Sequence, residues 1–261
     1  MRVAVIGFGA IGAEVVAGLQ SGAVPGAQLS GVVVRRPGSV GGIAPELTLE
    51  EAIAGSDLLV ECAGQQAAAS LAPRALAAGT DVLLVSIGAL ADPTLREALT
   101  STGPGRLHLS TGAIGGLDLL AAASAAGGVD RLSLTTTKLP RALVQEWMSE
   151  AETAALLSAT EPTLVFEGSV ADAAARFPAS LNVAVALAAA TGLYDAARVR
   201  LRADPDAPRT SHRIQASGTL GDYDLRIGNT PSPKNPASSG IVAHALLQGI
   251  RRLSGRGVHF V

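Results

Sequence analysis

A chain of 261 residues is long enough for one large domain or two modest ones, with enough material to bury a sizeable core. Apolar residues make up 48% and aromatic residues only 3%, so that core has to be built from Ala, Val, Leu and Ile. Charged residues are 16% with a net charge of -2, which excludes the concentrated Lys and Arg surface that nucleic acid or an anionic membrane requires.

The lone cysteine, Cys62, excludes an internal disulfide and a cysteine-rich zinc site, and no metal is expected. A reducing cytoplasm is the natural compartment for such a chain. Arg2 before the apolar "VAVIGFGAIGA" imitates a signal peptide, but a glycine motif interrupts the run, Glu14 follows, and no cleavage pattern comes after it.

That first stretch carries Gly7-x-Gly9-x-x-Gly12, closing a predicted strand and opening a predicted helix. Gly7 permits the tight turn, Gly9 lets the backbone approach a pyrophosphate, and Gly12 lets helix and strand pack closely. The helix N-terminus, at Ala10 and Ile11, then offers free N–H groups to the phosphates. The next strand, "LSGVVV", runs into Arg35 and Arg36 where an acid for the ribose hydroxyls of NAD would stand. Two guanidiniums suit the 2′-phosphate of NADP. A pair of solvated loop arginines is the alternative, and NAD stays open.

Short apolar runs continue with "DLLVECAG", "DVLLVSIG" and "RLHLSTG", separated by the helical segments "LTLEEAIAG" and "PTLREALTS". Strands apolar on both faces and alternating with helices predict a parallel sheet covered on both sides. Ligands of such sheets sit outside the carboxyl ends of the strands, which adds Ala63 and Gly64 to the residues expected at the cofactor. "LHLSTGAIGGLD" has no second GxGxxG spacing. Its small residues between a strand and the helix "GLDLLAAASAAG" fit either a ring or substrate approaching the backbone, or an ordinary turn.

Beyond this point the strands alternate. "VDRLSLTTT" sets Leu132 and Leu134 on one side, "RVRLRAD" sets Val199, Leu201 and Ala203 against three arginines, and "DYDLRIG" sets Tyr223, Leu225 and Ile227 together. Alternation suits an antiparallel or mixed sheet with one wet face. Between them, "ASLNVAVALAAATGLY" is short and carries Ser, Asn and Thr, so a buried helix is expected rather than a membrane span.

"STGAIGGLD", "TTKLP", "VFEGSVADAAARFPASLNVA" and "NTPSPKNPASS", in this order and spacing from Met1 to about His244, resemble the L-aspartate dehydrogenase family. The resemblance implies an α/β fold: an N-terminal Rossmann domain with a doubly wound parallel sheet over 1–112, and an α+β substrate, catalytic and oligomerisation domain over 113–236. A C-terminal helix over 237–261 would pack back on the first domain. It implies oxidation of L-aspartate with NAD or NADP to iminoaspartate, then oxaloacetate and ammonia, a homodimer or larger assembly, and possible hand-over of the imine to quinolinate synthesis.

Carried over by position, the family's SGA motif falls on Thr111, Gly112 and Ala113, with Ala113 against the cofactor and Gly115 and Gly116 admitting substrate. Asn182 is a second cofactor contact, and His212 in "DPDAPRTSHRI" takes the place of the catalytic histidine. A histidine titrates in the range needed to deprotonate the substrate amine and activate water. Of the others, His108 is expected in a buried strand, His244 on a late helix and His259 beside the C-terminus. A dicarboxylate substrate needs cations. Lys138 and Lys234 are the candidates in family-like blocks, with Arg209 and Arg213 near His212 in sequence, while Asn229 and Asn235 either hydrogen-bond the substrate or fix turns beside prolines, the turn role being favoured.

Thr137, Leu139, Ser180, Thr210 and Ala237 depart from the family's usual residues, and all fall on the expected substrate side. A related dehydrogenase or imine reductase for another acid, or a non-catalytic NADP-binding sensor, is therefore the rival reading.

Overall fold

The computed structural model describes residues 1–178 and 182–255. The chain divides into two compact units, one of Met1–Gly112 with the chain from Ile241 onward, the other of Ala113–Gly240.

The first unit runs β1 (Arg2–Ile6), α1 (Ala10–Gln20), β2 (Gln28–Val33), β3 (Glu46–Leu47), α2 (Leu49–Gly55), β4 (Leu58–Glu61), α3 (Gln65–Ala77), β5 (Asp81–Leu84), α4 (Pro93–Ser101) and β6 (Leu107–Leu109). The strands form one parallel sheet in the order β3-β2-β1-β4-β5-β6, the doubly wound order of dinucleotide-binding folds. Its centre is the apolar run Val3-Ala4-Val5 beside Leu58-Leu59-Val60, all buried, as strands covered on both faces must be. Local chemistry sets the helix starts. Thr48 and Glu51 form a reciprocal capping box on α2, and Asp92 caps α4 with Pro93 at its first position.

The second unit runs α5 (Leu117–Ala125), β7 (Arg131–Lys138), α6 (Glu150–Leu157), β8 (Thr163–Ser169), α7 (Val170–Arg176), α8 (Asn182–Thr191), β9 (Arg198–Ala203), β10 (Thr210–Gly218), β11 (Gly221–Asn229), β12 (Pro231–Ser232) and β13 (Asn235–Ser239). Five of these strands form a mixed sheet, β11-β10-β7-β9-β8, with only the β7–β9 pair parallel. The expected alternation holds. Leu132, Leu134, Val199, Leu201, Ala203, Ile214 and Ala216 are buried on one face. The other face carries Arg200, paired with Glu167, and Arg213, paired with Asp224, beside Arg202 and Arg226. The apolar "NVAVALAAAT" is helix α8, largely buried and tied to α5 where Ser124 Oγ donates to the Thr191 carbonyl at 2.6 Å.

The last helix differs from expectation at its start. Asn235–Ser239 is a strand, β13, paired with β12, and α9 begins only at Ile241 and runs to Leu253, with residues 256–261 outside those described. Prolines at 231, 233 and 236 interrupt helical bonding before that point. Val242, Ala243, Leu246 and Ile250 make one apolar stripe on α9. It lies so close to α1 that a side chain at Gly18 would come within 2.6 Å of Leu247. Among the described residues, no helix is long and apolar enough to cross a membrane.

Candidate active site

The glycine motif in the first unit has the division of labour its spacing predicts. Gly7 sits at φ +94°, and a side chain there would meet the Cys62 carbonyl at 2.9 Å. One at Gly12 would fall 2.1 Å from the Gly7 carbonyl, whereas nothing lies within 4 Å of that position on Gly9. Gly9 is the N-cap of α1 and makes no side-chain cap bond, so the first-turn amides are not taken up by a side chain at the cap. An open glycine over an uncapped helix start fits a dinucleotide pyrophosphate. Directly beyond β2, Arg35 and Arg36 are exposed, and among the described residues neither pairs with a carboxylate. The loop that follows is pinned by Glu46, whose carboxylate accepts from the Val40 and Gly38 amides and is held below the usual glutamate range by them.

A residue that sequence reasoning passed over organises the next turn. Glu61 is 1% exposed, and its Oε1 accepts from the amides of Ala63 and Gly64, each at 2.7 Å. Ser86 adds its hydroxyl to Oε1 and its amide to Oε2, both at 3.0 Å. Ala63 and Gly64, expected at the cofactor, therefore have their N–H groups turned to Glu61, and any contact they make to a ligand must use other atoms. An acid closing the apolar run "DLLVE" is the signal that was present in the sequence.

In the second unit, β10 places His212 on the buried face, opposite Thr136 of β7 and Ile227 of β11. Its Nδ1 lies 3.0 Å from Thr136 Oγ1, and the two residues are 3% and 1% exposed. Lys138, two residues along β7, shares that face by the strand's alternation. Burial holds its ammonium pKa below the ordinary lysine value. The pKa of His212 is pushed down to about 4, by burial first and by the Lys138 charge second. The ring is thus neutral at pH 7, rather than titrating near neutrality as its residue type suggested.

Asn229 corrects a second expectation. It forms no turn. It ends β11 opposite Thr210, and its Nδ2 donates to the Ala113 carbonyl at 2.7 Å, fixing the start of the glycine stretch. Within that stretch Gly116 sits at φ +74°, and a side chain there would run into Leu225 at 2.4 Å, which gives this glycine a packing reason. Gly115 has open space.

The other candidates stand on further strands, turns and helices. Arg213 faces the other side of the sheet, where its guanidinium grips Asp224 (Nε to Oδ1, 2.9 Å), and Arg209 lies over Gly228. Lys234 is exposed at the two-residue turn of the β12–β13 hairpin, with Asn235 beginning β13. Asn182 is exposed at the first turn of α8. His108 is only half-buried, its Nε2 3.0 Å from Asp81 Oδ2, and His244 on α9 reaches Glu14 at 3.3 Å. Ser180 and His259 lie outside the described residues. Thr137 also differs from expectation: alternation turns it to the arginine-bearing face, so this departure from the family pattern does not touch the His212 face.

Residues 118–253 match the family described as "Aspartate dehydrogenase, C-terminal", and residues 7–103 match "Homoserine dehydrogenase, NAD binding domain". L-aspartate dehydrogenase 2 of Bordetella pertussis is 38% identical over 96% of both chains. The chain belongs to the aspartate dehydrogenase family. L-aspartate dehydrogenase of Methanosarcina mazei is 32% identical over 97% of both chains. The crystal structure of aspartate dehydrogenase from Thermotoga maritima superposes with a TM-score of 0.81 at 26% identity, covering 100% of this chain and 99% of that one. Membership makes the protein an NAD(P)-dependent amino-acid dehydrogenase with a Rossmann-type domain.

Proposed function

We propose that this aspartate dehydrogenase family member interconverts L-aspartate and iminoaspartate, which water converts to oxaloacetate and ammonia, with His212 as general acid/base and NADP as the preferred cofactor. The observation that carries the reading is that a half-buried lysine and a neutral, buried histidine share one face of one sheet. A nicotinamide cofactor held at the Gly7, Gly9 and Gly12 turn would supply the acceptor for the hydride that leaves the substrate Cα. Neutral His212 takes the proton from the substrate ammonium: the N–H bond breaks, a ring nitrogen gains the proton, and the amine lone pair becomes free to form the C=N bond. Once that proton has passed to solvent, the same nitrogen takes a proton from the water that attacks the imine carbon, and returning it to the departing nitrogen lets the C–N bond break and ammonia leave. Lys138 supplies the cation that a desolvated substrate carboxylate needs. Arg35 and Arg36 support a 2′-phosphate by parallel hydrogen bonds. A homodimer in the cytoplasm, passing the imine to quinolinate synthesis, completes this reading.

NADPH oxidation with ammonia and oxaloacetate, set against pyruvate, 2-oxoglutarate and glyoxylate, tests it. Oxaloacetate is expected to turn over fastest. A preference for another acid overturns the substrate, and NADPH binding without turnover of any acid favours the sensor reading.

A further inference from the structure

The Thr136–His212 pair is a polar contact inside an apolar layer. Thr136 pairs across β7 with Leu201 of β9, and His212 is flanked on its other side by Ile227 of β11. We propose that Thr136 is a positioning residue for His212, its hydroxyl taking the hydrogen bond at Nδ1 so that Nε2 is the atom that exchanges protons. This rests on the reading of His212 as the acid/base.

A neutral imidazole carries one N–H, and either ring nitrogen can hold it. The partner at one nitrogen decides what the other offers. With the proton on Nδ1, donated to Thr136 Oγ1, Nε2 presents a bare lone pair. When Nε2 then gains a proton, the Nδ1–H still has its acceptor, so the ring need not turn between its two charge states. A hydroxyl does this without adding a negative charge, consistent with the depressed basicity of the ring. The position of Oγ1 is itself well determined. Thr is β-branched with a restricted χ1, and its backbone lies between the β9 and β10 ladders. An alternating strand predicts a hydrophobe at this core-facing position, so the hydroxyl departs from the local pattern where the ring needs a partner.

Thr136→Val keeps the shape and removes the hydroxyl, and Thr136→Ser restores it. Long-range proton–nitrogen NMR of the wild-type imidazole reads the tautomer directly and needs no variant. The Nδ1–H form is expected at pH 7. In Thr136→Val, kcat is expected to fall roughly tenfold or more with the NADPH dissociation constant unchanged, and Thr136→Ser to recover most of it. Wild-type imidazole protonated on Nε2 overturns the proposal. So does a Thr136→Val enzyme with full kcat in a protein whose His212→Ala variant is inactive. If His212→Ala itself retains turnover, the acid/base reading fails and the positioning role falls with it.

Discussion

The side-chain amide of Asn229 donates to the main-chain carbonyl of Ala113 at 2.7 Å, joining residues 116 positions apart in sequence. The bond anchors the small-residue stretch to the same strand end that flanks His212, and it is made by a residue whose neighbouring proline suggests a turn. Replacing Asn229 with Leu keeps the bulk and removes the donor. We expect a stability loss of about 1 kcal/mol, the net worth of one such bond, and a fall in kcat/KM for the amino acid exceeding what unfolding accounts for. Urea unfolding and steady-state kinetics on the same preparation check this, and a stability loss with unchanged kinetics assigns Asn229 a purely structural role.

His212 also makes a prediction about acid stability. Its pKa lies near 6.5 when exposed and at about 4 in the fold, so the unfolded chain binds the extra proton first as pH falls. The stabilising contribution is complete above about pH 6.5 and is lost progressively as pH falls toward 4, by about 3 kcal/mol in total. His212→Asn should remove this limb from a plot of unfolding free energy against pH. An unchanged limb in that variant would show that other groups cause it.

Arg35 and Arg36 stand exposed at the end of β2. Changing both to Ala is expected to raise the dissociation constant for NADPH by roughly tenfold or more, one charge-assisted pair or better, and to leave that for NADH within a few-fold. Fluorescence titration with the two cofactors separates the effects. Equal losses for both would sink the 2′-phosphate assignment.

Glu61→Gln retains one acceptor oxygen but turns an NH2 group toward an amide that now donates to a carboxylate. With Glu61 buried and bound by Ala63, Gly64 and Ser86, the cost is about 1–3 kcal/mol of stability. Thermal unfolding measures it, and a variant as stable as the parent would contradict the geometry.

The doubly wound sheet was legible because its central strands are built on continuous apolar runs and its glycine motif stands between a strand and a helix. In the second sheet β7, β9 and β11 were legible from alternation, whereas β10 and the strand β8, both inside stretches noted only for their family likeness, were not, nor, outside that sheet, were the short β3 and the β12–β13 hairpin. The site was read less fully. Glu61 and Thr136 are polar residues at core-facing positions, and sequence spacing does not reveal partners that come from other strands. Arg213 was drawn toward His212 by adjacency along the chain, yet in a strand adjacent residues face opposite ways. His108 lies on a three-residue strand at the sheet edge, too short and too open to bury it.

That same parity divides β10 into two independent inheritances. Every second residue belongs to the buried face with His212, and the residues between them, Ser211, Arg213, Gln215 and Ser217, belong to the opposite face beside the arginines of β9 and β11. Substitutions at Arg200, Arg202, Arg213 or Arg226 can redraw the protein's outer charge while the His212 face stays as it is. A one-residue slip in pairing would exchange the two sets at once. Register, more than the identity of any one arginine, is what such a strand has to protect as it diverges.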